Sequence, residues 1–129
     1  MNYLLDTHTL FWLATDTTRL PDNVLSIIAD ERNVIGVSIA SFWEMGIKSS
    51  IGKWSLPMTL IELGRRAADE DIKIIPITLE ATEVIRTLPL HHGDPFDRVI
   101  IATAVKESAA ILSIDAKFDE YVGVQRIWS

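Results

Sequence analysis

Short β-branched runs alternate along this chain with segments whose apolar residues recur at helical spacing. "NYLLD" at the amino terminus reads as a short buried strand. "VIGVS" (Val34 to Ser38), "IKIIPI" (Ile72 to Ile77) and "AILSI" (Ala110 to Ile114) have the length and composition of strands buried in a parallel sheet, and "VQRIW" reads as an edge strand. Helical patterns fill the intervals. They are "THTLFWLA", which Asp6 can cap; "PDNVLSIIADE" with Pro21 in its first turn; "SIASFWEMGIKSSIG" with Ser38 as cap and Gly52 as stop; "TLIELGRRAADE"; "TLEATEVIRTL"; and "DPFDRVIIATAVKES". No Gly/Ser linker, charge block or repeat interrupts this order, so residues 1–129 read as one domain. Such alternation predicts an α/β fold, a parallel sheet covered on both faces by helices.

Ligands of such a sheet bind beyond the carboxyl ends of its strands, which gives the acids an address. Asp6 ends the first strand and Asp115 follows the fourth, so both belong to that rim. Glu44 lies in the second turn of the helix after strand two. Asp97 is harder to place, because a helix leading into a strand normally starts at the rim only if an earlier helix has carried the chain there. The loop "LPLHHG" supplies that return: Leu79 to Leu88 can run towards the rim, and the helix from Asp94 to Ser108 can start there.

Each acid also has a plainer reading. Asp94 followed by Pro95 is a strong helix-start pattern, and a cap is the reading favoured for it. For Asp97, helix-dipole complement and ligand weigh evenly when it is taken alone. Ile100, Ile101 and Ala104 put it on the face that packs against the sheet, where an unpaired acid is costly, and the company of the other rim acids decides for ligand. Glu44 can form an exposed ion pair with Lys48, although the apolar "IASFWEMGI" predicts a helix buried on most sides. Asp6 and Asp115 can each be a helix cap. Caps leave unexplained why four acids meet without a matching set of bases, Arg98 and Lys117 being the nearest; like charges so close demand cations.

Composition narrows the chemistry. Of 129 residues 48% are apolar, enough for one domain with a core, and there is no cysteine, which removes thiolate ligands and nucleophiles. The amino terminus carries neither a basic leader nor an unbroken apolar run, which predicts a cytoplasmic protein without membrane attachment. A net charge of −6 argues against binding nucleic acid through a bulk basic field, yet two divalent cations on the four acids would cancel most of that excess locally. His91 and His92 read as solvated loop residues and His8 as part of a helix start, with no third ligand at zinc spacing. Trp12, Trp43, Trp54 and Trp128 read as core or interface anchors. Arg65, Arg66, Lys48 and Lys53 fit phosphate contacts and a solvated helix face equally well.

An all-oxygen carboxylate set suits magnesium, with manganese as substitute, and such ions can activate water for phosphodiester hydrolysis. "LLDTHTLFWL", "VSIASFWEMGIKSSIGKW", "HHGDPFDRVIIATA" and "ILSIDAKFDEY", in that order, resemble the PIN-domain family and closely match the VapC-type ribonuclease toxins of type II toxin–antitoxin systems. The resemblance implies a three-layer α/β/α sandwich around a mainly parallel sheet of four to five strands. It implies catalytic, metal-binding acids at Asp6, Glu44, Asp97 and Asp115, with Thr7 and Ser113 as supporting hydroxyls, Asp94 as helper and Asp119 unassigned. It further implies a Mg2+- or Mn2+-dependent endoribonuclease cutting tRNA or mRNA, a homodimer, and inhibition by a VapB-like antitoxin. Two other classes stay open. A haloacid-dehalogenase-like phosphotransferase would use Asp6 but normally has an aspartate where this chain has His8, and a catalytically idle binding module would use its acids to hold a partner's arginines. A phosphorelay receiver lacks its paired early acids and late lysine here.

Overall fold

The computed structural model describes residues 2–91 and 93–129, so the loop reading of His92 lies outside the described residues. Five strands, β1 (Asn2–Leu5), β2 (Val34–Ser38), β3 (Ile72–Ile75), β4 (Ala110–Leu112) and β5 (Arg126–Ile127), form one all-parallel sheet in the order β3-β2-β1-β4-β5. Six helices connect them: α1 (Thr7–Thr15), α2 (Asp22–Ala29), α3 (Ile39–Ser50), α4 (Leu60–Asp69), α5 (Leu79–Thr87) and α6 (Pro95–Glu107), with 3-10 turns at Thr17–Arg19 and Ala116–Glu120.

Alternation along the strands separates two cores. Leu5, Val37 and Leu112 face one side, where they pack with Leu10 of α1, Val24 of α2, Phe42 and Met45 of α3, and Leu63 and Ala67 of α4. Leu4 and Ile111 face the other, against Ile100, Ile101 and Ala104 of α6 and Phe118 and Tyr121 near the carboxyl terminus. The result is the three-layer α/β/α sandwich. On the second face Gly36 leaves room for a neighbour, since a Cβ there would come within 2.7 Å of Ile75 Cδ1.

Side-chain caps fix the helix starts: Ser38 for α3 and Asp94 for α6, as the sequence suggests, and also Thr59 for α4 and Thr78 for α5. Gly52, at φ 74°, follows the end of α3. Several expectations are corrected. β3 stops at Ile75 instead of Ile77, because Pro76 has no N–H to offer a ladder. Pro21 precedes the first turn of α2 at its cap, and the turn Thr17–Arg19, held by the Asp16 carboxylate, was not foreseen. Helix α3 is not buried on most sides. Ile39, Trp43 and Ile47, four residues apart, form an outward stripe of which Trp43 is 61% exposed, while Ala40, Ser41, Glu44 and Met45 face inward. Among the described residues no helix is long and apolar enough to cross a membrane.

Candidate active site

The strand order reverses at β1. The chain steps outward through β2 and β3, then returns to place β4 on the other flank of β1. A crevice therefore opens beyond the carboxyl ends of β1 and β4, the switch point where α/β sheets bind ligands.

Asp6 enters it directly from β1 and is buried. Its Oδ1 accepts the Thr9 N–H at 2.9 Å, capping α1, and its Oδ2 accepts the Ser113 hydroxyl at 2.5 Å. Burial pushes the Asp6 carboxyl up, against the hydrogen bonds from Ser113 and Thr9 and the nearby His8, which favour its charge. The same Ser113 Oγ accepts the Asp115 N–H at 2.9 Å, so one fully buried hydroxyl ties the residue after β1 to the loop after β4. Asp115 in turn caps the following 3-10 turn through the Lys117 N–H at 3.0 Å. Cap and site are thus compatible readings of both aspartates, because a cap engages only one oxygen of each.

Glu44 projects from the second turn of α3 and is 5% exposed, its Oε2 accepting from Lys48 Nζ at 2.7 Å while its Oε1 is buried with no hydrogen-bond partner among the described residues. The anticipated Glu44–Lys48 pair exists, but it is largely buried where an exposed one was expected. Asp97 stands in the first turn of α6, behind the Asp94 cap, whose Oδ1 accepts the N–H of Phe96 at 2.8 Å and of Asp97 at 3.1 Å. Packing of α5 against α6 brings that helix start to the rim. The Asp97 carboxyl is pushed up to about 7, first by burial and then by the charges of Asp94, Glu44, Asp6 and Asp115. These acids surround one crevice of about 320 Å3, completed by Thr7, His8, Lys48, Gly93 and Lys117.

A family model for the PIN domain matches residues 3–124. The chain belongs to the PIN-domain family. No curated protein sequence matches it. Among solved structures, VapBC2 from Rickettsia felis bound to a promoter DNA fragment shares 19% identity and a TM-score of 0.74, with all of both chains covered. VapBC from Salmonella typhimurium bound to DNA shares 13% identity at TM-score 0.69, covering 98% of this chain and 97% of that one. A toxin–antitoxin complex from Klebsiella pneumoniae shares 20% identity at TM-score 0.60, covering 95% and 94%.

Of the residues singled out in this PIN domain, Asp6, Glu44, Asp97 and Asp115 come together from four segments, and Ser113 bridges two of them. Thr7 lines the crevice, yet its hydroxyl donates to Ser41 at 3.0 Å and not to an acid. Asp119 is drawn away into a two-pronged pair with Arg126, at 3.0 Å on each oxygen. Arg98, expected near the acids, donates to the carbonyls of Ile85 and Pro89 and so braces the α5–α6 connection. Lys117 does line the crevice. His8, which the sequence places at a helix start, lines the crevice too and packs on Trp12 and Trp54. Ser41 and Thr9 carried no signal in the sequence, because their partners Thr7 and Leu112 are chosen by the fold.

The donor set fits a hard divalent cation: it is all oxygen, crowded with like charge, and holds a buried carboxylate oxygen that no described residue satisfies. Among the described residues, no three of the His, Asp and Glu side chains stand close enough to ligate one ion as they are, the acids lining the crevice wall and not pinching one point.

Proposed function

We propose that this PIN domain, a single unit over residues 1–129, is a Mg2+-dependent endoribonuclease that also accepts Mn2+ and acts in the cytoplasm as the toxin of a VapBC-like toxin–antitoxin pair. The observation that carries the reading is the convergence of Asp6, Glu44, Asp97 and Asp115 on one crevice at the switch point, where burial first, and after it the charges of Asp94 and the other acids, hold Asp97 up to about 7. Those four carboxylates would hold the ion, with Glu44 Oε1 the most evident free ligand atom. When bound, a divalent ion supplies charge for the scissile phosphate and acidity for a water nucleophile.

The chain's own side chains do the rest. Ser113 and the Thr9 N–H fix the Asp6 carboxylate so that its direction does not depend on the ion. Asp94 sets the start of α6 and with it the place of Asp97. Lys117 and Lys48 bring positive charge to the wall that a phosphate would approach. The substrate in this reading is tRNA or mRNA, and the protein works as a homodimer under a VapB-like antitoxin. Similarity to VapBC complexes of known structure supports that partner class.

A binding-module reading has one observation in its favour, since Lys48 on Glu44 demonstrates that a basic side chain fits among these acids. A partner's arginine could do the same. The phosphotransferase reading gains nothing, because the residue two after Asp6 is a histidine engaged with tryptophan rings.

The test is cleavage of mixed tRNA and mRNA by the purified protein and by Asp97→Asn, in Mg2+ or Mn2+ and with a chelator. Cutting that needs metal and falls to background in the variant is the expected outcome. Equal activity of the two proteins overturns the site, and inactivity of both in either metal favours the binding module.

A further inference from the structure

We infer that Lys48 is an internal counter-ion competing with a divalent cation for Glu44, so that metal loading requires the lysine to leave. This rests on the metal reading above. Its ground is the state of one carboxylate: Lys48 Nζ lies 2.7 Å from Glu44 Oε2, while Glu44 Oε1 is buried and has no hydrogen-bond partner among the described residues. An ion pair four residues apart on an exposed helix is weakly coupled and dispensable. Here the Glu44 side chain is 6% exposed and that of Lys48 21%, so the pair is largely withdrawn from water and its attraction is little screened. The lysine occupies one oxygen and leaves the other open.

A divalent ion on the open oxygen would stand beside the ammonium on its twin, two positive charges at one carboxylate. They exclude each other by the same repulsion that the acids exert on one another. Lysine suits a counter-ion that departs, because its charge sits on a flexible four-carbon stem and makes no fixed fork of bonds. It also has somewhere to rest, since Nζ already lies 4.4 Å from the centroid of the Trp54 ring. The lysine therefore holds the Glu44 carboxylate in place until the ion arrives, at the cost of a weaker affinity for that ion.

Mn2+ titration by calorimetry, on RNA-free protein, compares the wild type with Lys48→Met, Lys48→Arg and Asp97→Asn. Lys48→Met should bind Mn2+ more tightly by on the order of tenfold, between the weak coupling of exposed pairs and the strong coupling of buried ones. Lys48→Arg, which keeps the charge, should bind no more tightly than wild type. Equal or weaker binding by Lys48→Met overturns the inference, and a lysine that merely props up the helix would give that result. Loss of binding in Asp97→Asn upholds the metal reading independently of how Lys48→Met behaves, whereas no binding by any of the proteins sinks both. Should Lys48→Met fail to fold, acetylation of the wild type, mapped by mass spectrometry, decides instead. Saturating Mg2+ should speed modification of Lys48 several-fold and leave the exposed Lys53 unchanged; an unchanged Lys48 rejects the displacement.

Discussion

An aspartate that keeps its proton up to about pH 7 must lose it before its oxygens can ligate a cation. In the proposed metal site Asp97 would therefore link metal binding to pH: below 7, Mn2+ affinity should rise by up to about tenfold per pH unit, with release of a proton, and level off above it. Calorimetry in two buffers of different ionisation enthalpy reads that proton, and a flat profile from pH 5.5 to 8 would reject the coupling. The sign for stability is opposite. A carboxyl raised from its ordinary 3.8 favours the fold in its neutral form, so the metal-free protein has this contribution in full below about pH 4 and loses it as pH rises through 7. Buried Asp6, raised as well, acts in the same sense. Asp97→Asn should consequently melt higher than wild type at pH 8 without metal, by roughly 3–6 °C if about 1 kcal/mol of repulsion is relieved. The two should converge at pH 4.5. A variant that is less stable at pH 8 would mean that Asp97 is held by a favourable contact strong enough to outweigh the neighbouring acids.

At the scale of elements, the start of α6 joins structure to chemistry, because the Asp94 cap that ends the loop also orients Asp97. Asparagine caps nearly as well as aspartate, whereas alanine caps poorly. Asp94→Ala should lose about 1 kcal/mol of stability, read by urea denaturation, and most of the activity. Asp94→Asn should keep the stability and retain cleavage, since it removes only a charge that pushes the Asp97 carboxyl up. Loss of cleavage in Asp94→Asn with unchanged stability would make Asp94 a participant instead of a cap. Elements were largely legible in the sequence for a related reason. Runs such as "VIGVS" and caps such as Ser38 and Asp94 are local signals, decided by residues within a turn or a strand of one another. What escaped depended on distant partners. The Thr7–Ser41 bond spans 34 positions and the Asp6–Ser113 bond 107, so residue type alone announces neither, although Ser113 was suspected from the family pattern. The outward stripe Ile39–Trp43–Ile47 reads as core in the sequence, since apolar periodicity does not say which face a neighbour covers. The rim itself followed from strand ends, but its switch point between β1 and β4 is a matter of strand order, which no local pattern encodes.

For the whole molecule, the question is how a chain of net charge −6 would take hold of the RNA proposed as its substrate. Much of its basic complement is already committed to nearby acids: Arg19 to Asp16, Arg32 to Asp30, Arg65 and Arg66 to Glu62, Arg86 to Glu83, and Arg126 to Asp119. At the crevice stand Lys48, itself on Glu44, and Lys117. A surface of this kind neutralises few phosphates, and the salt dependence of binding counts them, at about 0.7 in the logarithmic slope per contact for single-stranded nucleic acid. With the two lysines as the contacts, the slope of log KM for RNA against log KCl, at fixed excess Mg2+, should be only about 1 to 1.5. Affinity would then come mainly through the metal and the shape of the crevice, and removing Lys117 should flatten the slope further. A slope of about 4 or more would contradict this, because one copy of the chain offers too little uncommitted basic surface to produce it. The basic surface would then have to be composite, formed where two copies meet, and the steep slope should collapse at protein concentrations low enough for the copies to separate.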